Sequence, residues 1–86
     1  MNILIKKYIN NLTIDKLNEF MINNNINLNN DELVFLLELI KTNIDDILVN
    51  SLKYLNILKE KIRINEFNKL ETLFLYYKNR YQGYLF

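Results

Sequence analysis

The chain has 86 residues, half of them hydrophobic, with 11 lysines and arginines against 10 aspartates and glutamates for a net charge of +1. It contains no cysteine, histidine, proline, tryptophan or alanine and a single glycine, Gly83, while sixteen residues are asparagine. This excludes a disulfide framework, thiolate or imidazole metal sites, glycine-rich phosphate loops and intrinsic disorder, and it gives no whole-chain electrostatic case for DNA or an anionic membrane.

Asparagine, isoleucine, lysine, tyrosine and phenylalanine share A/T-rich codons, so the skew reads as the bias of an A/T-rich genome. The longest asparagine run, Asn23 to Asn25, is too short for a low-complexity tract. The length allows one domain, residues 1–86. The cysteine-free composition points to the reducing cytoplasm. Ile3-Leu4-Ile5 is followed at once by Lys6 and Lys7, the reverse of a secretory signal. The most apolar run, Leu33 to Ile40, includes Glu38 and falls far short of the ~20 residues that span a bilayer.

Helical periodicity runs throughout, so the expected fold is all-α: a bundle of four to five helices joined by short loops. A first helix covers 3–11, with Leu4, Tyr8, Ile5, Ile9 and Leu12 on adjoining faces. Thr13 is the expected N-cap of a second helix reaching residue 24, with Leu12 and Leu17 as hydrophobic staple and Asp15 at the positive end of the dipole. The same grammar returns at Leu28, Asn29, Glu32 and Leu33, where Asn29 and Glu32 have capping-box spacing. The third helix, 30–41, is apolar nearly all round and belongs at the centre of the bundle.

Asn43, backed by Asp45 and Asp46, is the expected cap of a fourth helix over 44–62 whose stripe is Ile44, Ile47, Leu48, Leu52, Leu55, Leu58 and Ile62. Asn65 is the expected cap of a fifth over 66–82. There Phe67, Leu70, Phe74, Tyr77, Tyr81 and Tyr84 follow a three-four spacing, a heptad seam for packing against the bundle. Asparagine replaces the missing glycine and proline at the breaks, because it accepts cap and left-handed conformations.

The remaining nucleophiles, Ser51, Thr13, Thr42, Thr72, the lysines and the tyrosines, have no obvious base beside them. The pairs Asp31-Glu32 and Asp45-Asp46 sit where first-turn acids stabilise helices, which accounts for them without acid–base chemistry. The second and third helices have the outline of a helix-turn-helix. The supposed recognition helix, however, offers Asp31, Glu32 and Glu38 among leucines, which repel phosphate.

The C-terminal third is different. It holds Lys53, Lys59, Lys61, Arg63, Lys69, Lys78 and Arg80 against Glu60, Glu66 and Glu71, with aromatics interleaved near the end. Tyrosines that stack on bases beside cations that hold phosphates would suit RNA. The residues singled out for partner or RNA contact are Lys69, Tyr76, Lys78, Arg80 and Tyr84.

The stretch Leu12-Thr13-Ile14-Asp15-Lys16-Leu17, then Asn25-Ile26-Asn27-Leu28, Asp31-Glu32, Ile40, Asn43-Ile44 and the later Leu73-Phe74, resembles a small uncharacterised helical family of Bacillus-type low-GC bacteria, a domain of unknown function. The resemblance covers about residues 5–80. The chain departs from the family pattern at Ile14, where a proline is expected after the cap. The resemblance implies a cytoplasmic bacterial helical protein and carries no activity or site residues.

The expected function is a non-enzymatic protein-binding or adaptor module that docks on a larger protein or on itself, without cofactor, metal, DNA or membrane. The alternative is an RNA- or ribosome-associated accessory protein that uses the basic-aromatic C-terminal helix.

Overall fold

Thr13 begins the regular part of the chain: its extended backbone and its Oγ1, which accepts from the Lys16 amide at 3.2 Å, open a helix. In the computed structural model, which describes the backbone of residues 3–85 and the side chains of residues 3–80, that helix is the second of five. They are α1 (Ile3–Asn10), α2 (Ile14–Asn23), α3 (Asn30–Thr42), α4 (Ser51–Lys61) and α5 (Ile64–Leu85), and no strand occurs among the described residues. The fold is the expected all-α bundle. The staple residues Leu12 and Leu17 are both buried.

α2 ends in a Schellman motif built without glycine. Asn25 takes φ 62°, the left-handed region. The Asn25 amide donates to the Ile22 carbonyl at 3.0 Å, and the Ile26 amide reaches back to Met21 at 2.9 Å. The apolar contact that accompanies this motif comes from Met21 and Ile26, both buried, with Ile26 only 1% exposed. Replacing Asn25 by Gly should change stability by less than about 0.5 kcal/mol in urea titrations. Asn25→Val, with a branched Cβ in left-handed backbone, should lose ~1–2 kcal/mol. The chain then enters α3 through a complete capping box: Asn29 Oδ1 accepts from the Glu32 amide and Glu32 Oε1 from the Asn29 amide, both at 2.9 Å.

Two boundaries differ from the sequence expectation. Asn43 closes α3 rather than opening α4: its amide and its Nδ2 both donate to the Leu39 carbonyl. Residues 43–50 then form two successive turns, closed by Ile47 N to Asn43 O and by Asn50 N to Asp46 O, each 2.9 Å. Asn43, Asp46 and Asn50 supply the reason. Short polar side chains offer the backbone local partners that compete with a continuous helix. The break resets the helical phase, so Leu52, expected in the stripe, is 71% exposed and Tyr54 takes its place at 3%.

The second difference lies at α5, which starts at Ile64. The Arg63 carbonyl accepts from the Phe67 amide at 2.8 Å, which puts Arg63 at the cap position and Asn65 inside the first turn.

α3 packs against α1, α2 and α4, the central place its apolar circumference requires, and α5 packs along α4. One core cluster joins Leu12, Leu17, Met21, Ile26, Leu28, Leu33 and Leu36 to Leu55, Leu58, Ile62, Phe67 and Leu70. α5 is the longest helix: its 22 residues span about 33 Å, comparable to the 31 Å long axis of the molecule. Among the residues whose side chains are described, its seam is buried only at the start. Phe67 and Leu70 are inside, Phe74 is half-buried and Tyr77 is 36% exposed. The side chains of Tyr81 and Tyr84 lie outside the described residues. No helix among the described residues is long and apolar enough to cross a membrane.

Candidate functional site

The polar groups are mostly spent on holding the fold. Glu32 is the centre of a clasp. Its carboxylate, buried to 4% exposure, accepts from the Asn29 amide, from the Arg63 amide at 2.8 Å and from Arg63 Nη2 at 2.9 Å. The Arg63 guanidinium also donates to the Asn27 carbonyl. Glu66 accepts from the Asn27 amide at 3.0 Å, and Lys69 donates to the Asn25 carbonyl at 3.1 Å and to Glu66. The start of α5 thereby fastens the loop between α2 and α3. Burial pushes the Glu32 carboxyl up, but the Arg63 side chain, the Arg63 and Asn29 amides and the guanidinium charge outweigh it and leave the group below its ordinary value.

A second network holds residues 43–50. The Tyr54 hydroxyl donates to Asp46 at 2.5 Å, and Asn50 Nδ2 donates to the same carboxylate. These bonds hold Asp46 below the usual carboxylate range, the Tyr54 bond contributing most, and the same bond raises Tyr54.

Three of the hydroxyls offered as nucleophiles face backbone oxygens or serve as a cap. Ser51 donates to Leu48 and Thr72 to Asn68, each at 3.0 Å, while Thr13 caps α2. Asp45 pairs with Lys6 at 3.2 Å across the α1 side of the molecule. Among the described residues no group of three or more acidic side chains stands close enough to hold a metal ion.

Of the five residues singled out for partner or RNA contact, the four whose side chains are described do not form one surface. Lys69, Tyr76 and Arg80 share one side of α5, with Arg80 Nη1 3.3 Å from the Tyr76 hydroxyl. Lys69 is already engaged with Glu66 and the Asn25 carbonyl. Lys78 is nine residues beyond Lys69, two and a half turns at 100° per residue, and falls on the opposite side, where it is half-buried. Tyr84 lies outside the residues whose side chains are described. Two further cations of the C-terminal third are placed apart: Arg63 belongs to the clasp, and Lys61 lies over the Phe35 ring at 5.8 Å.

A different feature was not expected from the sequence. All five helices and the 43–50 turns converge on an apolar cleft of about 260 Å³. Leu36, Leu55 and Leu58 lie deep in it, and the half-buried or exposed rings of Tyr8, Phe20, Phe74 and Tyr77 stand at its edge. Phe20 and Tyr77 meet with centroids 6.0 Å apart.

Its origin is compositional. Closely packed cores alternate large and small side chains so that layers interdigitate. This chain has no alanine and one glycine, and Ser51 is the sole small side chain buried among the described residues. Leucines, isoleucines and aromatic rings meeting from five directions hold the helices apart.

No protein-family model matches the chain, and comparison with curated proteins and with solved structures gives no match either.

Proposed function

We propose that the protein is a non-enzymatic docking module that binds a protein partner or a second copy of itself, in the cytoplasm. One observation carries this reading. α1 is an apolar helix with no buried residue, and its Ile3, Leu4 and Tyr8 are 78%, 73% and 62% exposed. The Lys6–Asp45 ion pair sets α1 beside the 43–50 turns, whose Val49 is also exposed. Uncovered apolar side chains grouped on one element are the mark of a surface that meets another protein.

RNA contact is the second reading, favoured by Tyr76 and Arg80 standing together on the exposed side of α5. It has a narrower base than the five residues suggested, since Lys78 points elsewhere.

The test is affinity capture with mass spectrometry, with and without nuclease, together with light scattering over a range of concentrations. The wild-type chain should recover a defined partner or dimerise. The doubly substituted Ile3→Asp/Leu4→Asp chain should do neither, yet keep its helical circular dichroism, because acids suit the first turn of a helix. Equal capture by both chains, or a monomer that recovers nothing, defeats the docking reading. Capture abolished by nuclease transfers the case to RNA.

A further inference from the structure

We propose that the central cleft is a binding site for a small uncharged hydrocarbon group, an alkyl chain or fused ring of about eight to ten carbons. The shape comes first. Walls drawn from all five helices make a recess of about 260 Å³ that is open on one side, rather than a groove the length of a helix, so its occupant is the size of a small molecule.

The chemistry of the wall selects the class. The two buried hydroxyls that line it are turned to partners of their own, Ser51 to the Leu48 carbonyl and Tyr54 to Asp46. No buried side-chain nitrogen or oxygen among the described residues lacks a partner. The buried part of the recess therefore presents no unmet side-chain donor, acceptor or charge to a ligand. A charged group inside it would lose its hydration with nothing in return. Water fares little better, since it needs two to four polar partners to settle in a cavity.

Size completes the assignment. An apolar cavity of about 150 Å³ stays dry and holds one benzene. This cleft, at about 260 Å³, has room for a second fused ring or an equivalent alkyl chain. Because it opens to solvent on one side, between the rings of Tyr8, Phe20, Phe74 and Tyr77, a polar end attached to that hydrocarbon remains in water.

The probe is N-phenyl-1-naphthylamine, a neutral naphthalene whose emission rises and shifts to the blue in apolar surroundings, titrated into the full chain. Saturable one-to-one binding is expected, displaced by 1-nonanol and not by 1-propanol, with a higher thermal midpoint in the presence of the probe. Leu73→Trp and, separately, Leu36→Phe fill the recess from α5 and from α3. Each should weaken the probe at least tenfold, and Leu73→Trp should raise the midpoint of the unliganded chain.

The Ile3→Asp/Leu4→Asp chain should bind the probe as the wild type does, which separates this site from protein docking through α1. Absent or unsaturable binding to a folded wild type, or wild-type affinity in either filled variant with native circular dichroism, overturns the assignment.

Discussion

Phe67→Ala should lower stability by ~3–5 kcal/mol, and Phe74→Ala, seven residues along the same seam, by only ~1–2 kcal/mol. The midpoints of urea unfolding at constant slope give both numbers. In a heptad pattern the two positions are equivalent. The bundle makes them unequal, because Phe67 is 3% exposed inside the core cluster while Phe74 is half-buried at the edge of the cleft. A ring with empty space on one side has already forfeited part of its dispersion contacts, so deleting it loses less. Equal costs would show that the cleft closes in solution.

Glu32→Ala should cost ~2–4 kcal/mol, from loss of the reciprocal cap and from stranding the Arg63 amide and guanidinium that it satisfies. The clasp also sets a pH dependence. The folded carboxyl sits below its ordinary value of 4.5, so the unfolded chain binds the proton more readily. Its contribution is therefore whole above about pH 4.5 and fades as pH falls through the folded value. Asp46 is lowered chiefly by the Tyr54 hydroxyl and Glu66 chiefly by the Asn27 amide, so both add to the same acid limb. Urea titrations at pH 7 and at pH 3 should show a smaller loss between the two in Glu32→Gln than in the wild type. An identical loss would remove Glu32 from the account.

How much of this was readable in advance depends on how far apart the interacting residues lie. Thr13, Asn29 and Glu32 announced their helices because a cap and the amide it satisfies are three residues apart. Asn25 belongs with them: the asparagines were expected to serve at breaks, and one of them takes the left-handed place glycine usually holds. Glu32 was read as a first-turn acid, which it is. Its larger part depends on Arg63, thirty-one residues away, and no local pattern reveals that.

The start of α5 moved for the same reason, since the Arg63 amide is satisfied across the molecule. The fourth helix is shorter than the apolar spacing from Ile44 to Ile62 predicts, because that spacing does not register two turns held by Asp46 and Asn50. The separation of Lys78 from Lys69 was, by contrast, legible from helical phase alone. The cleft was legible only in its cause, a core vocabulary without small side chains.

The loose seating of α1 gives the molecule two tiers of stability. Its ties to the body include the exposed Lys6–Asp45 pair, a bond from Lys41 to the Asn10 carbonyl and packing on α3 that buries none of its residues. Exposed ion pairs of this kind contribute ~0–1 kcal/mol. The residues that hold the rest together begin at Leu12. α1 can thus detach in a local opening while the core remains native, well below the free energy of global unfolding. Because Tyr8 and Ile9 belong to the wall of the cleft, each such opening also widens the mouth of the recess.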